Sequence, residues 1–372
     1  MLIGVPKEIK NHEYRVGLTP TSVRELVHHG HKVIVQKGAG KEIGLVDKAY
    51  VVAGASIVDT AEEIFAKAEM VVKVKEPQPS ECSMLRPGQV LFTYLHLAPD
   101  PEQTKLLVAS GAIGIAYETV TDRNGRLPLL APMSEVAGRM SIQAGAHCLE
   151  KAQKGAGVLL GGVPGVQPAK VVVLGGGVVG TNAARMAIGM EADVVILDKS
   201  IDRLRQLDEL FGSRLDTVYA TVDNIEQHVL DADLVIGAVL VPGASAPKLV
   251  TETMVKAMRL GSVLVDVAID QGGCFETSRA TTHAKPTYIV HGVVHYCVAN
   301  MPGGVARTST FALNNATLPF TVALANKGYK KALADDPYLL EGLNVHRGKV
   351  TYKAVADALG YTHQDPRKAI AA

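Results

Sequence analysis

The sequence predicts an α/β fold with two doubly wound, mostly parallel sheets, each in a domain of its own. Strand-like apolar runs alternate with segments of helix length, which is the pattern of βαβ units. Two such series occur, and the 372 residues are enough for roughly two hydrophobic cores. The tail is too small to fold alone, so we expect it to return to the first domain. This predicts a first domain of residues 1–130 and 308–372, an inserted domain of residues 131–307, and a cleft between them.

In the first series, short apolar strands alternate with helices, and glycine or proline residues mark where helices begin or end. Its strands are rich in Val, Ile and aromatic residues, which fit a buried, pleated surface. The strands are predicted at 2–5, 32–36, 70–75, 90–96 and 112–118, and the helices near 22–29, 61–68 and 101–110. Because helix-length segments separate them, these strands are expected to pair in parallel.

The second series follows a helix predicted near 134–154. A helix near 178–190 follows its first strand, and the strands are predicted at 170–175, 193–198, 232–240, 261–267 and 287–294. A further helix near 315–326 leads into the tail, and we expect a kink at Pro319 because proline cannot donate a helical hydrogen bond.

Composition and charge exclude several classes of protein. The 38 basic and 37 acidic side chains leave a formal net charge of +1, which predicts no general affinity for nucleic acid. The four cysteines are far apart and lack metal-ligand spacing, which predicts no zinc site and a reducing compartment. The longest apolar stretch, 157–180, contains Pro164 and Lys170 and is unsuited to a membrane. We expect a cytoplasmic protein with no metal, nucleic-acid or membrane partner.

The sequence Gly-Gly-Gly-Val-Val-Gly at 175–180 fits the G-x-G-x-x-G pattern of a dinucleotide-binding turn. An apolar strand precedes it and a helix follows it, which is the context that this short pattern requires. Gly175 permits the tight turn, Gly177 lets the backbone approach a pyrophosphate, and Gly180 lets helix and strand pack closely. The helix N-terminus then offers unpaired N–H groups to the phosphates. The inserted domain is thus predicted to be a Rossmann domain, with a purely structural turn as the alternative.

Asp198 ends the next predicted strand, 18 positions beyond Gly180. Its carboxylate is expected to accept hydrogen bonds from the adenosine ribose and to repel a 2′-phosphate, which favours NAD over NADP. Lys199 and Arg203 are close in sequence and could offset that repulsion, so NADP stays an alternative.

Titratable residues at the carboxyl ends of other strands are candidates for a substrate site, because ligands of doubly wound sheets bind there. Lys75 ends one strand and suits a substrate carboxylate; for Lys75 and Lys73 a solvated strand edge is the alternative. His96 ends the next strand, on the same face as Tyr94, and can exchange protons near neutral pH. A structural histidine is the alternative there.

An arginine and an aspartate complete the candidates. Arg15 lies between the first strand and the first helix, where a guanidinium can clamp a carboxylate; a surface ion pair is the alternative. Asp266 lies within an apolar strand and Asp270 just beyond it, so either could be buried or could activate a water. With a dinucleotide domain, these residues predict oxidation of a small substrate that carries a carboxylate.

Several longer segments occur in a fixed order along the chain. They are GVPKEIKNHEYRVGLTP, VVKVKEP, LFTYLHLA, LPLLAPMSEVAGRMS, GGGVVG, VDVAIDQGG and HYCVANMPGGVARTST. In this order they resemble the family of bacterial NAD-dependent L-alanine dehydrogenases, with the nucleotide-binding subunit of proton-translocating transhydrogenase as a near relative. The resemblance covers nearly the whole chain and is far more specific than the glycine turn alone.

The resemblance implies a role for each matching residue. It implies that Arg15 and Lys75 hold the substrate carboxylate and that Met133 lines the pocket for the methyl group. It implies the catalytic residues His96 and Asp270 and the substrate-binding residues Arg15, Lys75, Tyr94, Met133 and Asn300. For NAD it implies Ser134, Gly175, Gly177, Val178, Val179, Gly180, Asp198, Arg203, Val239, Leu240, Val267, Ala268, Ile269, Asp270, Arg279, Val298, Ala299, Asn300 and Met301. Ala220 departs from the family, because a serine that contacts the adenine side is expected there.

The activity that the resemblance implies is the reversible oxidative deamination of L-alanine to pyruvate and ammonium, with NAD as hydride acceptor. It also implies a homohexamer. Two alternatives stay open: a transhydrogenase-type subunit that passes hydride to another protein's cofactor, and a non-catalytic NAD sensor. The candidate pair His96 and Asp270 favours the dehydrogenase.

Overall fold

The computed structural model describes residues 1–239 and 246–371, which form two compact units. Met1–Met133, together with the segment that begins at Val305, forms the first unit, and Ser134–Gly304 forms the second. Within the described residues, no helix is long and apolar enough to cross a membrane. The same residues contain no group of three or more His, Cys, Asp or Glu side chains that could hold a metal ion.

Short strands and helices alternate through both units. The strands are β1 (Leu2–Val5), β2 (Lys32–Gln36), β3 (Ser56–Val58), β4 (Met70–Val72), β5 (Val90–Thr93), β6 (Ile113–Ala116), β7 (Lys170–Leu174), β8 (Asp193–Asp198), β9 (Asp216–Tyr219), β10 (Leu234–Gly237), β11 (Val263–Asp266), β12 (Thr287–Val290), β13 (Val293–Tyr296), β14 (Leu343–His346) and β15 (Lys349–Val350). The helices are α1 (Pro20–His28), α2 (Asp47–Val52), α3 (Ala61–Lys67), α4 (Pro79–Cys82), α5 (Pro101–Ser110), α6 (Ala131–Cys148), α7 (Val178–Gly189), α8 (Ile201–Phe211), α9 (Val222–Asp231), α10 (Glu252–Ala257), α11 (Ala306–Lys327), α12 (Tyr329–Asp335), α13 (Pro337–Leu340), α14 (Lys353–Leu359) and α15 (Pro366–Ala371).

Each unit contains one sheet whose central strands are parallel. The strand order is β15-β14-β6-β5-β4-β1-β2-β3 in the first unit and β12-β13-β11-β10-β7-β8-β9 in the second. In both, the chain runs outward on one side of its first strand and then continues on the other side, which is the doubly wound arrangement. Antiparallel pairs occur at one edge of each sheet, where β14 pairs with β6 and β15, and β12 pairs with β13. The predicted fold class is confirmed, with these antiparallel edges added.

Both faces of the second sheet are buried. Val171 and Val173 of β7 pack in the cluster that includes residues of α7, whereas Val172 and Leu174 pack in the cluster that includes residues of α9. Successive side chains of a strand point to opposite faces, so burial on both faces requires a continuous apolar strand. This explains why the predicted strands of this unit read as unbroken apolar runs.

The segment 287–294 is a hairpin, so the prediction of a single strand there is wrong. β12 and β13 pair antiparallel, and the two residues between them, His291 and Gly292, have φ values of 52° and 80°. Both values lie in the left-handed region, as in the two-residue turns that match the twist of paired strands. Asparagine, aspartate and glycine are the usual signals for such a turn, and histidine gives none.

Several elements end at other residues than the sequence predicts. β4 ends at Val72 and β5 at Thr93, each three residues before the expected end. Helix α6 ends at Cys148 rather than near residue 154. The helix expected near 315–326 is part of the longer α11, which runs through Pro319. Four strands were not predicted from the sequence: the edge strands β3, β9 and β15, and β14, which pairs with β15 and β6.

Replacing Pro319 with alanine is expected to stabilise the first unit. Pro319 is exposed inside α11, where it cannot donate a hydrogen bond to the carbonyl four residues earlier. Alanine restores this bond, so the free energy of unfolding should rise by about 1–3 kcal/mol, as measured by urea denaturation. Asn315→Ala, at another exposed position of α11, is the control for helix propensity alone. A gain no larger than that of the control would contradict the prediction.

Candidate active site

Titratable side chains of the first unit lie in the segments that follow neighbouring strands of its sheet. Arg15 follows β1, Lys75 follows β4, and His96 follows β5. Glu118 lies in the 3₁₀ turn Tyr117–Thr119 after β6. Because β6, β5, β4 and β1 are consecutive in the sheet, these residues share its carboxyl edge, where ligands of doubly wound sheets bind. The predicted substrate residues of this unit are thus brought to one edge, and Glu118 joins them.

Arg15 is buried, and a carboxylate two residues earlier holds its guanidinium. Its Nε donates to Glu13 Oε1 at 2.7 Å and its Nη2 donates to Glu13 Oε2 at 2.6 Å. Burial lowers the pKa of Arg15, but the bonds to Glu13 outweigh it and the pKa is raised, so the charge is kept. Nη1 donates to the sulfur of Met133 at 3.2 Å. Glu13 therefore occupies one edge of the guanidinium, and the sulfur of Met133 lies on the Nη1 side.

The structure separates the roles of the two lysines that follow β4. Lys73 is buried, with its Nζ 3.0 Å from Glu8 Oε2 and 2.8 Å from Glu81 Oε1. Burial lowers the pKa of Lys73, but the two carboxylates outweigh this and raise it, so its ammonium is a fixed internal charge. Lys75 keeps 14% of its side chain exposed and lies 3.3 Å from Glu76 Oε2. Lys75 is therefore the more accessible of the two lysines, and neither is a solvated strand edge.

His96 is held by its backbone rather than by its ring. Its φ of 46° lies in the left-handed region, which residues other than glycine rarely adopt, and its N–H donates to Glu118 Oε1 at 2.6 Å. Glu118 also accepts from the N–H of Leu95 at 3.2 Å. The imidazole is 42% exposed, and its Nδ1 is 3.9 Å from Glu118 Oε1, which is beyond hydrogen-bond distance. Glu118 ends the predicted strand at 112–118, so the strand-end argument used for His96 could have found it.

Tyr94 supports the imidazole of His96. The two rings stack with centroids 5.6 Å apart and planes 6° from parallel. The hydroxyl of Tyr94 donates to the carbonyl of Leu129 at 2.6 Å, and Tyr117 packs edge-on against the ring. Burial raises the pKa of Tyr94 far above its ordinary value, so the phenol stays neutral. Tyr94 is thus placed as a packing partner of His96 rather than as an acid or base.

The glycine turn of the second unit joins β7 to α7 and is open on one side. Gly175 has a φ of 99°, and a Cβ on Gly180 would lie 1.8 Å from the carbonyl oxygen of Gly175. A Cβ on Gly177, by contrast, would meet no described atom within 4 Å. Among the described residues, no side chain caps the N-terminus of α7, and Val178 is 44% exposed there. An open turn with uncapped N–H groups fits a pyrophosphate.

Asp198 ends β8 beside this turn. Its Oδ2 accepts from the N–H of Gly176 at 2.7 Å and its Oδ1 accepts from the N–H of Ser200 at 2.8 Å. Arg203 donates from Nε to the carbonyl of Gly176 and from Nη2 to Thr181 Oγ1, both at 2.6 Å. Asp198 therefore binds the N–H of Gly176 and Arg203 binds its carbonyl, so the two side chains hold the turn together.

The structure distinguishes the two aspartates that the sequence left open. Asp266 is fully buried at the end of β11, where Oδ1 accepts from the N–H of Ala268 at 3.1 Å and Oδ2 accepts from the N–H of Cys274 at 2.9 Å. Burial raises the pKa of Asp266. Asp270 is exposed in the 3₁₀ turn Val267–Gln271 that follows. Asp266 thus organises the turn, and Asp270 is accessible for chemistry.

The remaining predicted cofactor residues lie in the second unit. Leu240 lies outside the described residues, and Val239 follows β10. Arg279 is exposed, with its guanidinium 4.3 Å from the ring centre of Tyr288. Asn300 has a φ of 61°. The others are Ser134 in α6, Val179 in α7, Val267, Ala268 and Ile269 in the turn after β11, and Val298, Ala299 and Met301 after β13. Ala220, the departure from the family pattern, follows β9.

A doubly wound unit with an open glycine turn and an acidic strand end is the architecture of dinucleotide-binding domains. The other unit has cationic side chains and an accessible imidazole in the segments after its strands. The fold and the site together therefore define a two-domain α/β enzyme of the dinucleotide-binding class. The profiles of the Alanine dehydrogenase/PNT N-terminal and C-terminal domains match residues 4–137 and 141–353. The chain belongs to the alanine dehydrogenase/PNT family.

Individual relatives agree with this assignment. The chain is 64% identical to the alanine dehydrogenase of Halomonas elongata over 360 residues, 97% of each protein. It is 58% identical to the alanine dehydrogenase of Methanococcus maripaludis over the full length of both. A solved L-alanine dehydrogenase superposes with a TM-score of 0.94 at 56% identity, covering 97% of this chain and 99% of the other. A transhydrogenase from Sinorhizobium meliloti superposes with a TM-score of 0.81 at 25% identity, covering 95% and 100%.

Glu76 is expected to stabilise the first unit at neutral pH and to lose this effect in acid. Burial raises the pKa of Glu76, but Lys75 and Lys10 outweigh it and lower the pKa to about 2. A depressed pKa in the folded state gives stability that is complete above the ordinary value of 4.5 and is lost as the pH falls towards 2. Glu76→Gln should lower the free energy of unfolding by about 1–3 kcal/mol at pH 7 and by less than half as much at pH 3.

Urea denaturation at the two pH values measures this difference for Glu76. Glu341→Gln, which removes an exposed carboxylate of the same unit, is the control for net charge. An equal loss of stability for Glu76→Gln at pH 3 and pH 7 would show that the carboxylate does not act through its charge.

Proposed function

We propose that the chain catalyses the reversible oxidative deamination of L-alanine to pyruvate and ammonium, with NAD as the hydride acceptor. The observation that carries this proposal is the full-length identity of 55–64% to alanine dehydrogenases from several organisms. The geometry of both units supports it, because each contains the groups that the reaction needs. In the deamination direction, alanine and water give pyruvate and ammonium, a hydride leaves the α-carbon, and one proton is released.

The second unit provides the binding site for NAD, which, when bound, supplies a nicotinamide ring that accepts hydride. The open side of Gly177 and the first N–H groups of α7 receive the pyrophosphate. Asp198 accepts hydrogen bonds from the ribose hydroxyls, since each of its oxygens has a lone pair beyond its one backbone bond. Its charge disfavours a 2′-phosphate, so the expected cofactor is NAD.

The first unit binds the amino acid. Lys75 attracts the substrate carboxylate as a mobile point charge, and Arg15 offers its Nη1 side in an orientation that Glu13 fixes. Met133, whose sulfur lies against Arg15, gives the neighbouring methyl group an apolar contact. A small, partly apolar pocket of this kind suits alanine better than a larger amino acid.

His96 and Asp270 are the proposed proton carriers. The ammonium of alanine first loses one proton, and when hydride leaves the α-carbon, the nitrogen lone pair forms an iminium. A water must then lose a proton to add to the iminium carbon. The exposed imidazole of His96 can take that proton near neutral pH and return it to the departing nitrogen. Asp270 is accessible on its turn and assists in orienting the water.

The remaining parts of the proposal concern organisation. We assign residues 1–130 and 308–372 to the substrate domain and residues 131–307 to the NAD-binding domain. The compact units Met1–Met133 and Ser134–Gly304 support these limits. A homohexamer in the cytoplasm is proposed from the family resemblance.

The direct test is an assay of NADH oxidation at 340 nm with pyruvate and ammonium, without any partner protein. Turnover that requires all three reactants supports the proposal. A transhydrogenase-type subunit would oxidise NADH only with a second nucleotide site, and an NAD sensor would bind NADH without turnover.

His96→Ala is expected to lower kcat by about 10²–10⁴-fold, because general acid–base catalysis contributes that much. The dissociation constant of NADH, measured by fluorescence, should stay unchanged, since His96 belongs to the first unit. His147→Ala, which removes an exposed imidazole 60% open to solvent, is the control and should keep full activity. Near-normal turnover of the folded His96 variant would reject the proposed role.

Asp198→Ala is expected to weaken the preference for NAD over NADP. Loss of the carboxylate removes the ribose bonds and the repulsion of a 2′-phosphate, so the ratio of kcat/KM for the two cofactors should fall about tenfold or more. Asp202→Ala removes an equal charge at an exposed position of α8 and should leave the ratio unchanged. If the two variants changed the ratio equally, long-range charge rather than ribose contact would explain the preference.

A further inference from the structure

The carboxylate of Glu8 is buried between the segment after β1 and the end of β4. Its Oε1 accepts hydrogen bonds from the backbone N–H of Val74 at 2.7 Å and of Lys75 at 3.4 Å. Its Oε2 lies 3.0 Å from the Nζ of Lys73. One carboxylate therefore binds both the backbone that carries Lys75 and the ammonium of the neighbouring lysine.

These contacts hold the chain just beyond β4, which ends at Val72. The N–H groups of residues 74 and 75 bond to the side chain of Glu8 rather than to a neighbouring strand. The carbonyls are held from the other side, because Val74 accepts from the N–H of Tyr94 and Lys75 accepts from Thr93 Oγ1 at 3.0 Å. The backbone of Lys75 is thus held from both sides, although its ammonium is partly exposed.

The need to neutralise Lys73 does not by itself explain why Glu8 is buried beside it. Lys73 has a second carboxylate partner, Glu81, whose Oε1 lies 2.8 Å from its Nζ. The ammonium of Lys73 therefore contacts two buried carboxylates. Burial of a second carboxylate is unfavourable unless it forms other compensating hydrogen bonds. What distinguishes Glu8 is its second oxygen, which holds the backbone of residues 74 and 75, whereas Glu81 Oε2 accepts from the N–H of Gln78.

We propose that Glu8 is a positioning residue of the substrate site, which fixes the backbone under Lys75 so that the ammonium meets the substrate carboxylate. Lys73 acts in the same arrangement by keeping Glu8 oriented with one oxygen towards the backbone. The inference rests on the proposed function, because it takes Lys75 as the residue that binds the carboxylate of alanine or pyruvate.

Glu8→Gln tests the proposal. The amide of glutamine has one oxygen, so it can accept from the backbone N–H groups or from Lys73, but not from both. Because the amide NH2 would repel the ammonium of Lys73, the oxygen is expected to turn to Lys73 and to leave the backbone N–H groups without this acceptor. Lys73 keeps Glu81 as counter-ion, so the fold is expected to persist. The KM for pyruvate should rise about tenfold with a much smaller change in kcat, and the dissociation constant of NADH should not change.

Glu81→Gln is the matched control, because Glu81 also bonds one backbone N–H and the same ammonium. The two variants remove the same charge from Lys73, and thermal denaturation compares their stability. The proposal expects a raised KM for Glu8→Gln alone. An unchanged KM in a folded Glu8→Gln enzyme, or an equal rise in both variants, would overturn it.

A double-mutant cycle with Lys75→Ala shows whether Glu8 acts through Lys75. In the Lys75→Ala background, Glu8→Gln should cause no further loss of kcat/KM for pyruvate, and a further tenfold loss would contradict the proposal. If Lys75→Ala has no measurable turnover, binding of pyruvate to the enzyme–NADH complex, followed by NADH fluorescence, gives the same comparison. Failure of the proposed function differs from both outcomes, because the wild-type enzyme would then not convert pyruvate.

Discussion

The positive charges at the strand ends of the first unit depend on carboxylates that lie beside them. Arg15 is paired with Glu13, Lys73 with Glu8 and Glu81, and Lys75 with Glu76. A cation taken out of water is unfavourable unless an anion and hydrogen bonds replace its hydration. A site that binds an organic carboxylate with buried cations therefore needs acidic residues to hold these cations in the absence of substrate. This requirement explains why a site for an anion is rich in glutamate.

The second unit meets the same need for positive potential with backbone groups. The phosphates of a dinucleotide are expected at the N-terminus of α7, where uncapped N–H groups and the helix dipole replace cationic side chains. The guanidinium of Arg203, which lies beside the turn, bonds the Gly176 carbonyl and Thr181 Oγ1. Asp198 bonds the N–H of the same glycine. In this unit the charged side chains shape the turn, and the turn offers the binding groups.

The sequence predicts the fold well where a physical pattern is strong and local. Continuous apolar strands and the turn at Gly175 give the doubly wound class, because two-sided burial and a positive φ limit which residues can occur. The strand limits and the carboxylate partners could not be predicted in this way. Glu8 bonds the backbone beyond β4 from a distant part of the chain, and an acidic residue that bonds buried cations looks in sequence like a solvated one. The choice between Lys73 and Lys75 depends on the same long-range contacts.

Two histidines of the chain show what the structure adds to the argument for His96. His295 is buried, and both ring nitrogens have partners, Nε2 at 2.7 Å from Thr277 Oγ1 and Nδ1 at 3.0 Å from the carbonyl of Val293. Burial lowers the pKa of His295, and its bonds leave the ring no role in proton exchange. His96 has the opposite arrangement, because Glu118 bonds its backbone and the stacked ring of Tyr94 supports an exposed imidazole. A proton carrier needs a fixed position and an accessible nitrogen, and the backbone-held His96 combines the two requirements.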